Sequence, residues 1–300
     1  MTTPVRVLSF GGCLLHGPIS KVVSAGASDV AIAKLSRGGG TPPTYTIGEM
    51  LQTLALYRNE IEMTPDIRVL CGVKAEFAPL PRAGELFGVD VAILEPQSPI
   101  DIRFREYSLH RAAIKNAISS TLKGDEKLTK AADRWLNKGF MLLDDEYRKR
   151  VGAEIADQLD DDAPMVETFR AVLREAYPER KPIESELREL VNKIGRPVGV
   201  LTYMFQFMPD GRPVSWPAGF HEEVVAAAQA LNLPVFEPWR VVQAHGVSKA
   251  MKPDLRHYQE EFLPVIAREI CNFVRTVSDR GGAAWPVSAA ERGVATSVPA

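Results

Sequence analysis

The sequence of 300 residues has few cysteines, no long apolar run and no excess of charge of either sign. Its three cysteines, Cys13, Cys71 and Cys271, are too few and too scattered for a disulfide scaffold or a thiolate zinc site. No stretch of about 18 apolar residues is present, so we expect no membrane span. With 36 basic against 38 acidic residues, the chain lacks the basic excess typical of nucleic-acid binders, and we expect no nucleic-acid partner.

Several familiar motifs are also missing. No apolar stretch follows a basic region at the start, so a secretory signal is not expected, and the unpaired cysteines favour a cytoplasmic protein. The glycine-rich segments lack the spacing of a P-loop or of a dinucleotide fingerprint, and there is no Gly-x-Ser-x-Gly elbow. No histidine pair has the spacing of a metal site. We therefore expect neither a metal ion nor an organic cofactor.

Apolar, β-type segments alternate with helical segments through most of the chain. Strands are predicted near residues 5–10, 29–35, 90–95, 197–203 and 234–236, and helices near residues 47–57, 220–231 and 263–277. Such alternation is typical of a parallel sheet that is covered by helices on both faces. The predicted fold class is α/β, a three-layer αβα sandwich with a flavodoxin-like sheet.

Residues 102–195 break the alternation. They are densely charged, have helical spacing and contain almost no strand signal, so we predict a helical insertion or cap outside the sheet. The core then comprises residues 1–101 and 196–278. Residues 279–300 are small and polar and are predicted to form a disordered tail. The pattern favours no particular oligomeric state.

The first candidate site follows the first predicted strand, where Gly11-Gly12-Cys13 begins a loop. Ligands of parallel sheets bind at the carboxyl ends of the strands. A thiol placed there next to a helix N-terminus is favoured as the nucleophilic thiolate. The competing interpretation of Cys13 is a small buried hydrophobic residue, a common environment for free cysteine.

The second candidate site is Asp254-Leu-Arg-His257, near the last predicted helix. A histidine is the natural base for a weak nucleophile, and a carboxylate three residues away can orient its ring. The competing interpretation makes Asp254 a helix cap and His257 a first-turn residue. Among the other histidines, His16 lies one helical turn beyond Cys13, whereas His110 and His221 fall in helical surface patterns.

These segments, in this order, resemble the SGNH/GDSL hydrolase superfamily. That family has Gly-Asp-Ser after its first strand and Asp-x-x-His before its last helix. Here Asp254-Leu-Arg-His257 matches the second motif, and Gly11-Gly12-Cys13 stands at the first, with Cys for Ser as in bacterial relatives that begin Gly-Ser-Cys or Gly-Asn-Cys. Several of those relatives are tied to acyl modification of polysaccharides. The resemblance implies a catalytic triad of Cys13, His257 and Asp254.

The resemblance also implies an oxyanion hole. The main chain at Gly12 and Cys13 would supply one donor, and Gly39, in the run of glycines at 38–40, another. The Asn of the family's Gly-x-Asn-Asp loop is missing, because Glu95-Pro96-Gln97-Ser98 stands in its place. We expect Gln97 and Ser98 to substitute for it. Losing one such donor can cost about 3 kcal/mol of transition-state stabilisation, so this departure weakens the case for an ordinary esterase.

The function implied is acyl transfer, by an esterase or deacylase or by an acyltransferase. The substrate would be a small-molecule or carbohydrate ester, and an acyl thioester is a candidate donor. Two alternatives stay open: a non-catalytic binding or scaffolding protein that retains the fold, and a redox-sensing role for Cys13. Aromatic residues in the loop 205–216 suggest an apolar or sugar-stacking wall over the site, or simple packing of the loop.

Overall fold

A parallel sheet forms the centre of the protein. The computed structural model describes residues 3–24, 26, 29–37, 41–122, 125–159, 164–203, 206–207, 213–214, 219–254 and 257–280. Its strands are β1 (Val5–Phe10), β2 (Val30–Ile32), β3 (Ser36–Arg37), β4 (Ala78–Pro79), β5 (Val91–Leu94), β6 (Asp101–Phe104), β7 (Tyr107–Leu109), β8 (Tyr177–Glu179), β9 (Val198–Leu201), β10 (Gln206–Phe207), β11 (Pro213–Val214) and β12 (Val235–Phe236).

Helices connect most of these strands. They are α1 (Cys13–Ser24), α2 (Ile47–Tyr57), α3 (Pro65–Leu70), α4 (Arg111–Thr121), α5 (Glu126–Arg134), α6 (Asp145–Ala156), α7 (Pro164–Glu175), α8 (Ile183–Ile194), α9 (Phe220–Ala230), α10 (Pro238–His245), α11 (Val247–Ala250) and α12 (Leu263–Arg280). A 3-10 turn at Ala83–Glu85 and a π-helical segment at Trp135–Met141 add to these.

The main sheet has the strand order β2-β1-β5-β9-β12, and all its described pairs are parallel. Counted along the chain within this sheet, the order is 2-1-3-4-5, which is the flavodoxin-like order. Strands β5 and β9 bury every residue, and β1 buries its last four. β5 and β9 contain no polar side chain, and β1 has only Arg6 and Ser9, because helices cover both faces of the sheet. The predicted αβα sandwich is confirmed.

The register aligns the carboxyl ends of the central strands. Phe10 pairs with Leu94, and Leu94 pairs with Val200, so β1, β5 and β9 end at one edge of the sheet. The loops that follow them therefore leave the sheet side by side. At this edge of the sheet, Gly11-Gly12-Cys13 lies next to the segment that begins at Glu95.

Two apolar layers cover the sheet. On one face, Val7 and Val91 pack with buried residues of α1 and α12, and these two helices also pack against each other. On the other face, Leu8 and Ala92 pack with α2, α8 and α9. Alternate residues of β1 thus point to opposite layers, as a strand requires.

The insertion lies between β5 and β9. Its described residues contribute no strand to the parallel sheet, and helices α4 to α7 make up most of it. Strands β6, β7 and β8 form a separate antiparallel sheet, which the sequence pattern had not indicated. They are three or four residues long, too short for a period of two to stand out.

The boundary between core and insertion stays a prediction. Helix α8 lies before residue 196 in the chain, yet it packs against α2 and α9 of the helical layer. The apolar cluster on this face runs without a break from Leu8 of the sheet to Phe169 of the insertion. The insertion therefore shares its core with the sheet's helical layer.

The end of the chain differs in detail from the prediction. Helix α12 continues to Arg280, two residues into the predicted disordered tail, and the rest of that tail lies outside the described residues. Most of the aromatic loop 205–216 also lies outside them. No helix in the described part of the chain is both long enough and apolar enough to cross a membrane.

Candidate active site

Cys13 is the first residue of α1, directly after the turn that ends β1. The carbonyl of Gly12 accepts the N–H groups of Leu15 at 3.3 Å and His16 at 3.0 Å, so the helix begins within the turn. The residue is exposed to solvent. This is the strand–turn–helix arrangement that the sequence predicted for the nucleophile, and it does not match the alternative of a buried hydrophobic residue.

The two glycines before Cys13 permit a close approach from the neighbouring strand. A Cβ atom at Gly11 would lie 2.6 Å from Glu95 Oε2, and one at Gly12 would overlap Gln97 Nε2. Both neighbours come from the loop that follows β5. Side chains from this loop thus pack directly on the backbone beside the thiol.

Asp254 and His257 form a pair. Asp254 Oδ2 lies 2.6 Å from His257 Nδ1, and Asp254 Oδ1 accepts the backbone N–H of His257 at 3.1 Å. Helix α12 begins only at Leu263, so Asp254 is not the cap of that helix. A carboxylate bound to Nδ1–H fixes the tautomer and leaves Nε2 as the ring nitrogen that takes up a proton.

The segment that carries this pair is closed by its own backbone hydrogen bonds and is joined to α1. The N–H of Lys252 donates to the carbonyl of His257 at 2.7 Å, and Met251 forms an antiparallel bridge with Tyr258. An ion pair of 2.8 Å joins Lys21 of α1 to Glu260. The folded chain thereby brings residues from near both ends of the sequence to one place.

Electrostatics link the pair to the thiol. Desolvation and the charge of Glu95 are the main causes that raise the pKa of the Cys13 thiol, and the charge of Asp254 adds a smaller effect in the same direction. The pKa of the buried Tyr258 phenol is raised by its desolvation and also by the charges of Glu95 and Cys13. Cys13, Glu95, Asp254 and Tyr258 therefore share one electrostatic neighbourhood at the carboxyl edge of the sheet.

The chain matches one family model over residues 5–273, a span that includes Cys13, Glu95, Asp254 and His257. It belongs to the TviD N-terminal domain family. No curated protein and no solved structure gives a significant match. The family membership therefore covers the whole of the described sandwich and its insertion without assigning a reaction to any residue.

The pKa of the Cys13 thiol in this TviD N-terminal domain is raised above its ordinary value. Desolvation is the largest cause, and the Glu95 carboxylate is the second. The backbone N–H groups of Cys13 and Leu14 oppose this and lower the pKa, as the start of a helix does. The start of the helix therefore favours the thiolate, as expected, but desolvation and the charge of Glu95 have the larger effect on the pKa. A thiol whose pKa is raised above its ordinary value of about 8.5 is protonated at neutral pH.

Three of the four predicted oxyanion residues can be located. The N–H of Gly12 donates to Glu95 Oε2 at 2.8 Å, and Ser98 Oγ exchanges hydrogen bonds of 3.1 Å with the backbone of Ile100. Both groups are therefore committed within the protein, which corrects the prediction for them. Gln97 Nε2 donates one N–H to Glu95 Oε2 at 3.0 Å and retains a second. Gly39 lies outside the described residues.

Sequence reasoning gave no role to Glu95, which is fully buried behind the nucleophile turn. Burial raises its pKa to about 7, against the lowering effect of the hydrogen bonds from Gly12 and Gln97. A single charged residue at the end of an otherwise apolar strand was the available signal. The sequence patterns also gave no role to Tyr258 or to Tyr45, whose pKa values are raised by desolvation and also by the charges at Cys13 and Glu95.

Three of the other histidines have hydrogen-bond partners of their own. His110 is buried and accepts the N–H of Ala113 at the start of α4, so its predicted surface position is wrong. His221 is also mostly covered, with its Nε2 3.1 Å from a Glu237 oxygen. His16 lies on α1, but its Nδ1 is 3.1 Å from Ser9 Oγ. Within the described ranges, no three His, Cys, Asp or Glu side chains are grouped as metal ligands.

Proposed function

We propose that this protein is an acyl-transfer enzyme, similar in mechanism to the SGNH hydrolases, with Cys13 as nucleophile, His257 as base and Asp254 as the residue that orients the base. The observation that carries the proposal is the 2.6 Å contact between Asp254 Oδ2 and His257 Nδ1, on a segment whose charge acts on the Cys13 thiol. A carboxylate, an imidazole and a thiol in one neighbourhood are the components of nucleophilic acyl transfer.

The first half of the reaction forms an acyl-enzyme. Cys13 Sγ attacks the carbonyl carbon of the donor while His257 Nε2 takes the thiol proton. The tetrahedral intermediate then expels the alkoxide or thiolate of the donor, which receives that proton from His257. The products are a thioester on Cys13 and a free alcohol or thiol. Asp254 stabilises the imidazolium that forms between the two steps.

The second half returns the enzyme to its starting state. His257 Nε2 takes a proton from water or from an acceptor hydroxyl, and the resulting oxygen nucleophile attacks the thioester. Cys13 leaves as thiolate and regains its proton from His257. Water as acceptor makes the protein an esterase or deacylase, and a sugar hydroxyl makes it an acyltransferase. We favour a carbohydrate ester as substrate or product, and an acyl thioester as donor.

The raised pKa of the thiol agrees with this order of events. A thiol that stays neutral until a base removes its proton behaves like the serine of the SGNH enzymes, and unlike a preformed thiolate. The same raised pKa also favours the second candidate, a binding protein that retains the fold without activity, because an unreactive thiol has no need of activation. Experiment separates the two.

The test is acyl-enzyme formation. The purified protein is mixed with p-nitrophenyl acetate or an acetyl thioester, quenched in acid and analysed by intact mass and peptide mapping. We expect one acetyl group on Cys13 and a burst of released alcohol or thiol. The matched control is Cys71→Ala, which removes a buried cysteine outside the site and should acylate normally. An intact, folded protein that acquires no acetyl group on Cys13 from either donor would favour the binding protein.

A further inference from the structure

Glu95 is a fully buried carboxyl group with an uneven set of partners. Its Oε2 accepts two hydrogen bonds, from the Gly12 N–H at 2.8 Å and from Gln97 Nε2 at 3.0 Å. Its Oε1 is equally inaccessible and has no hydrogen-bond partner among the described residues. Burying half of a carboxyl group unpaired costs free energy, so a purely structural residue at this position would be better as an amide or an apolar side chain.

The two groups that Glu95 holds lie on either side of the nucleophile turn. Gly12 precedes Cys13, and the Gln97 amide packs so closely on Gly12 that any side chain there would displace it. Because Glu95 takes one N–H of that amide, the rotation of the amide is fixed. Its second N–H is then held beside the turn that carries the thiol.

A second buried polar atom in the same neighbourhood also lacks a partner. The hydroxyl of Tyr258, adjacent in sequence to His257, is inaccessible and makes no hydrogen bond to any described residue. Its pKa responds to the charges of Glu95 and Cys13. Most buried polar groups in proteins are hydrogen-bonded. Buried atoms without a described partner also occur elsewhere in this protein, at Arg148 for example, but here two of them lie around one exposed thiol.

The charged and titratable groups around Glu95 come from three directions. Cys13 faces it from α1, Tyr45 from the segment before α2, and Tyr258 from the segment before α12. Asp254 acts on the same thiol, and Arg111 of α4 lowers the pKa of Tyr45. The pKa of Glu95 itself is raised by burial and lowered by its two hydrogen bonds.

We propose that Glu95 is a positioning residue of this site, which holds the Gly12 turn, aims the free N–H of the Gln97 amide at the oxygen of the bound acyl group, and places its own charge beside the Cys13 thiol. The proposal rests on the acyl-transfer function proposed above. Gln97 is the residue that touches the substrate, and Glu95 acts through it. The charge of Glu95 opposes loss of the thiol proton until His257 removes it.

The first experiment measures the thiol without any turnover. The rate of Cys13 alkylation by iodoacetamide is followed against pH, with peptide mapping to isolate Cys13. Glu95→Gln keeps an acceptor oxygen but removes the charge, so the midpoint should move down by about one pH unit, as expected when a nearby like charge is lost. The matched control is Glu49→Gln, the same change at another buried carboxyl that does not act on Cys13, and it should leave the midpoint unchanged. An unchanged midpoint in Glu95→Gln would overturn the electrostatic part of the proposal.

The second experiment measures acyl-enzyme formation in Glu95→Ala, Glu95→Gln, Gln97→Ala and the double variant Glu95→Ala/Gln97→Ala. Glu95→Ala and Gln97→Ala should each lower the rate constant about 10²-fold with little change in KM, because an oxyanion donor acts mainly in the transition state. The double variant should lose little more than either single one. Glu95→Gln should recover most of the rate, because its oxygen still accepts the Gln97 amide.

The outcomes separate the two proposals. The rate losses of the two single variants could multiply in the double variant, or the losses could follow the melting temperature of each variant. Either result would show that Glu95 only supports the fold and would overturn the positioning role. If no variant and no wild-type protein forms an acyl-enzyme, the acyl-transfer proposal fails, and the positioning role of Glu95 fails with it. A shifted alkylation midpoint in that case would still identify Glu95 as the charge that controls the Cys13 thiol.

Discussion

Two buried carboxyl groups on neighbouring segments of this protein, Glu95 and Asp101, have opposite surroundings. Asp101 accepts from Thr46 Oγ1 at 2.8 Å through one oxygen, and from Ser108 Oγ at 2.7 Å through the other, which also lies 3.4 Å from Arg103 Nη1. Glu95 accepts both of its hydrogen bonds through one oxygen and leaves the other without a described partner.

The difference distinguishes a carboxyl group that stabilises the fold, Asp101, from one that lies at the candidate active site, Glu95. Around Asp101 both oxygens are paired, and the network ties α2 to the small sheet β6-β7-β8 of the insertion. A buried carboxylate with both oxygens paired makes the packing of the elements that it joins specific. Glu95 leaves one oxygen without a partner among the described residues, and its charge acts on an exposed thiol. We therefore expect changes near Glu95 to alter reactivity and changes near Asp101 to alter stability.

The largest effect is expected at the thiol and its base. Cys13→Ala and His257→Ala should each lower the acyl-transfer rate by about 10³-fold or more, because each removes a component without which the reaction does not proceed. The double variant should lose little more, since the two act as one unit. Steady-state rates with p-nitrophenyl acetate check this. Independent, multiplying losses would mean that the two residues do not share a mechanism.

The next effect concerns the satisfied network. Asp101→Ala should lower the free energy of unfolding by about 3 kcal/mol, because the hydroxyls of Thr46 and Ser108 and the charge of Arg103 lose a buried acceptor. Urea denaturation measures it. The alkylation profile of Cys13 should not move. A shifted profile would remove the distinction between the two regions.

A smaller loss is expected at Asp254. Asp254→Asn should lower the acyl-transfer rate without abolishing it, by less than the loss in His257→Ala, because the carboxylate orients the ring and does not carry the proton. It should also lower the pKa of the Cys13 thiol, since the charge of Asp254 raises it in the native protein. A rate equal to that of the native protein would show that the pair observed here is not part of the mechanism.

The pH dependence of stability tests Glu95 directly. Its pKa is raised from 4.5 to about 7 in the folded protein, so the folded state binds more protons than the unfolded state in that interval. The stabilising contribution is complete below about pH 4.5 and is lost as the pH rises through about 7. The free energy of unfolding of the native protein, relative to Glu95→Gln, should fall by up to about 1.4 kcal/mol per pH unit across this range. A difference that stays constant with pH would place the Glu95 pKa elsewhere.

The smallest effect is expected at the unpartnered hydroxyl. Tyr258→Phe should raise the free energy of unfolding by about 1 kcal/mol, because it removes a buried hydroxyl that has no described partner. The matched control is Tyr57→Phe, which removes a hydroxyl 3.3 Å from Thr41 Oγ1 and should not stabilise the protein. Thermal denaturation of both variants checks it. Destabilisation by Tyr258→Phe would show that the hydroxyl is paired.

Local patterns in the sequence were sufficient for the regular elements of the core. The apolar runs of β1, β5 and β9, and the helix over Ile47–Tyr57, were predicted close to their observed bounds. Each of these elements has a period or a run that a window of about ten residues contains. The strands of the small sheet are too short to show such a pattern. They form because Ile102 pairs with Leu109 and with Pro178, and Pro178 lies far away in the chain.

The burial and contacts of side chains were harder to predict from the sequence than the positions of helices and strands. His110 has the spacing of a helical surface residue, yet it is buried as the cap of α4, with its ring 4.5 Å from that of Tyr45. Ser98 and Gln97 are adjacent and chemically similar as donors, but only Gln97 is directed towards the nucleophile turn. The burial of a polar side chain depends on segments distant in sequence, which no local pattern records.

The sequence by itself determined the αβα alternation, the position of Cys13 at the end of the first strand, and the Asp254–His257 spacing that lets a carboxylate reach its own imidazole. These are local properties, set by periodicity and by a separation of three residues. The tertiary structure alone decided that Glu95 is buried behind Cys13 and that the segment of Asp254 acts on the same thiol. Those relations depend on the parallel register of β1 and β5 and on the packing of α12 against α1, which join residues more than eighty positions apart.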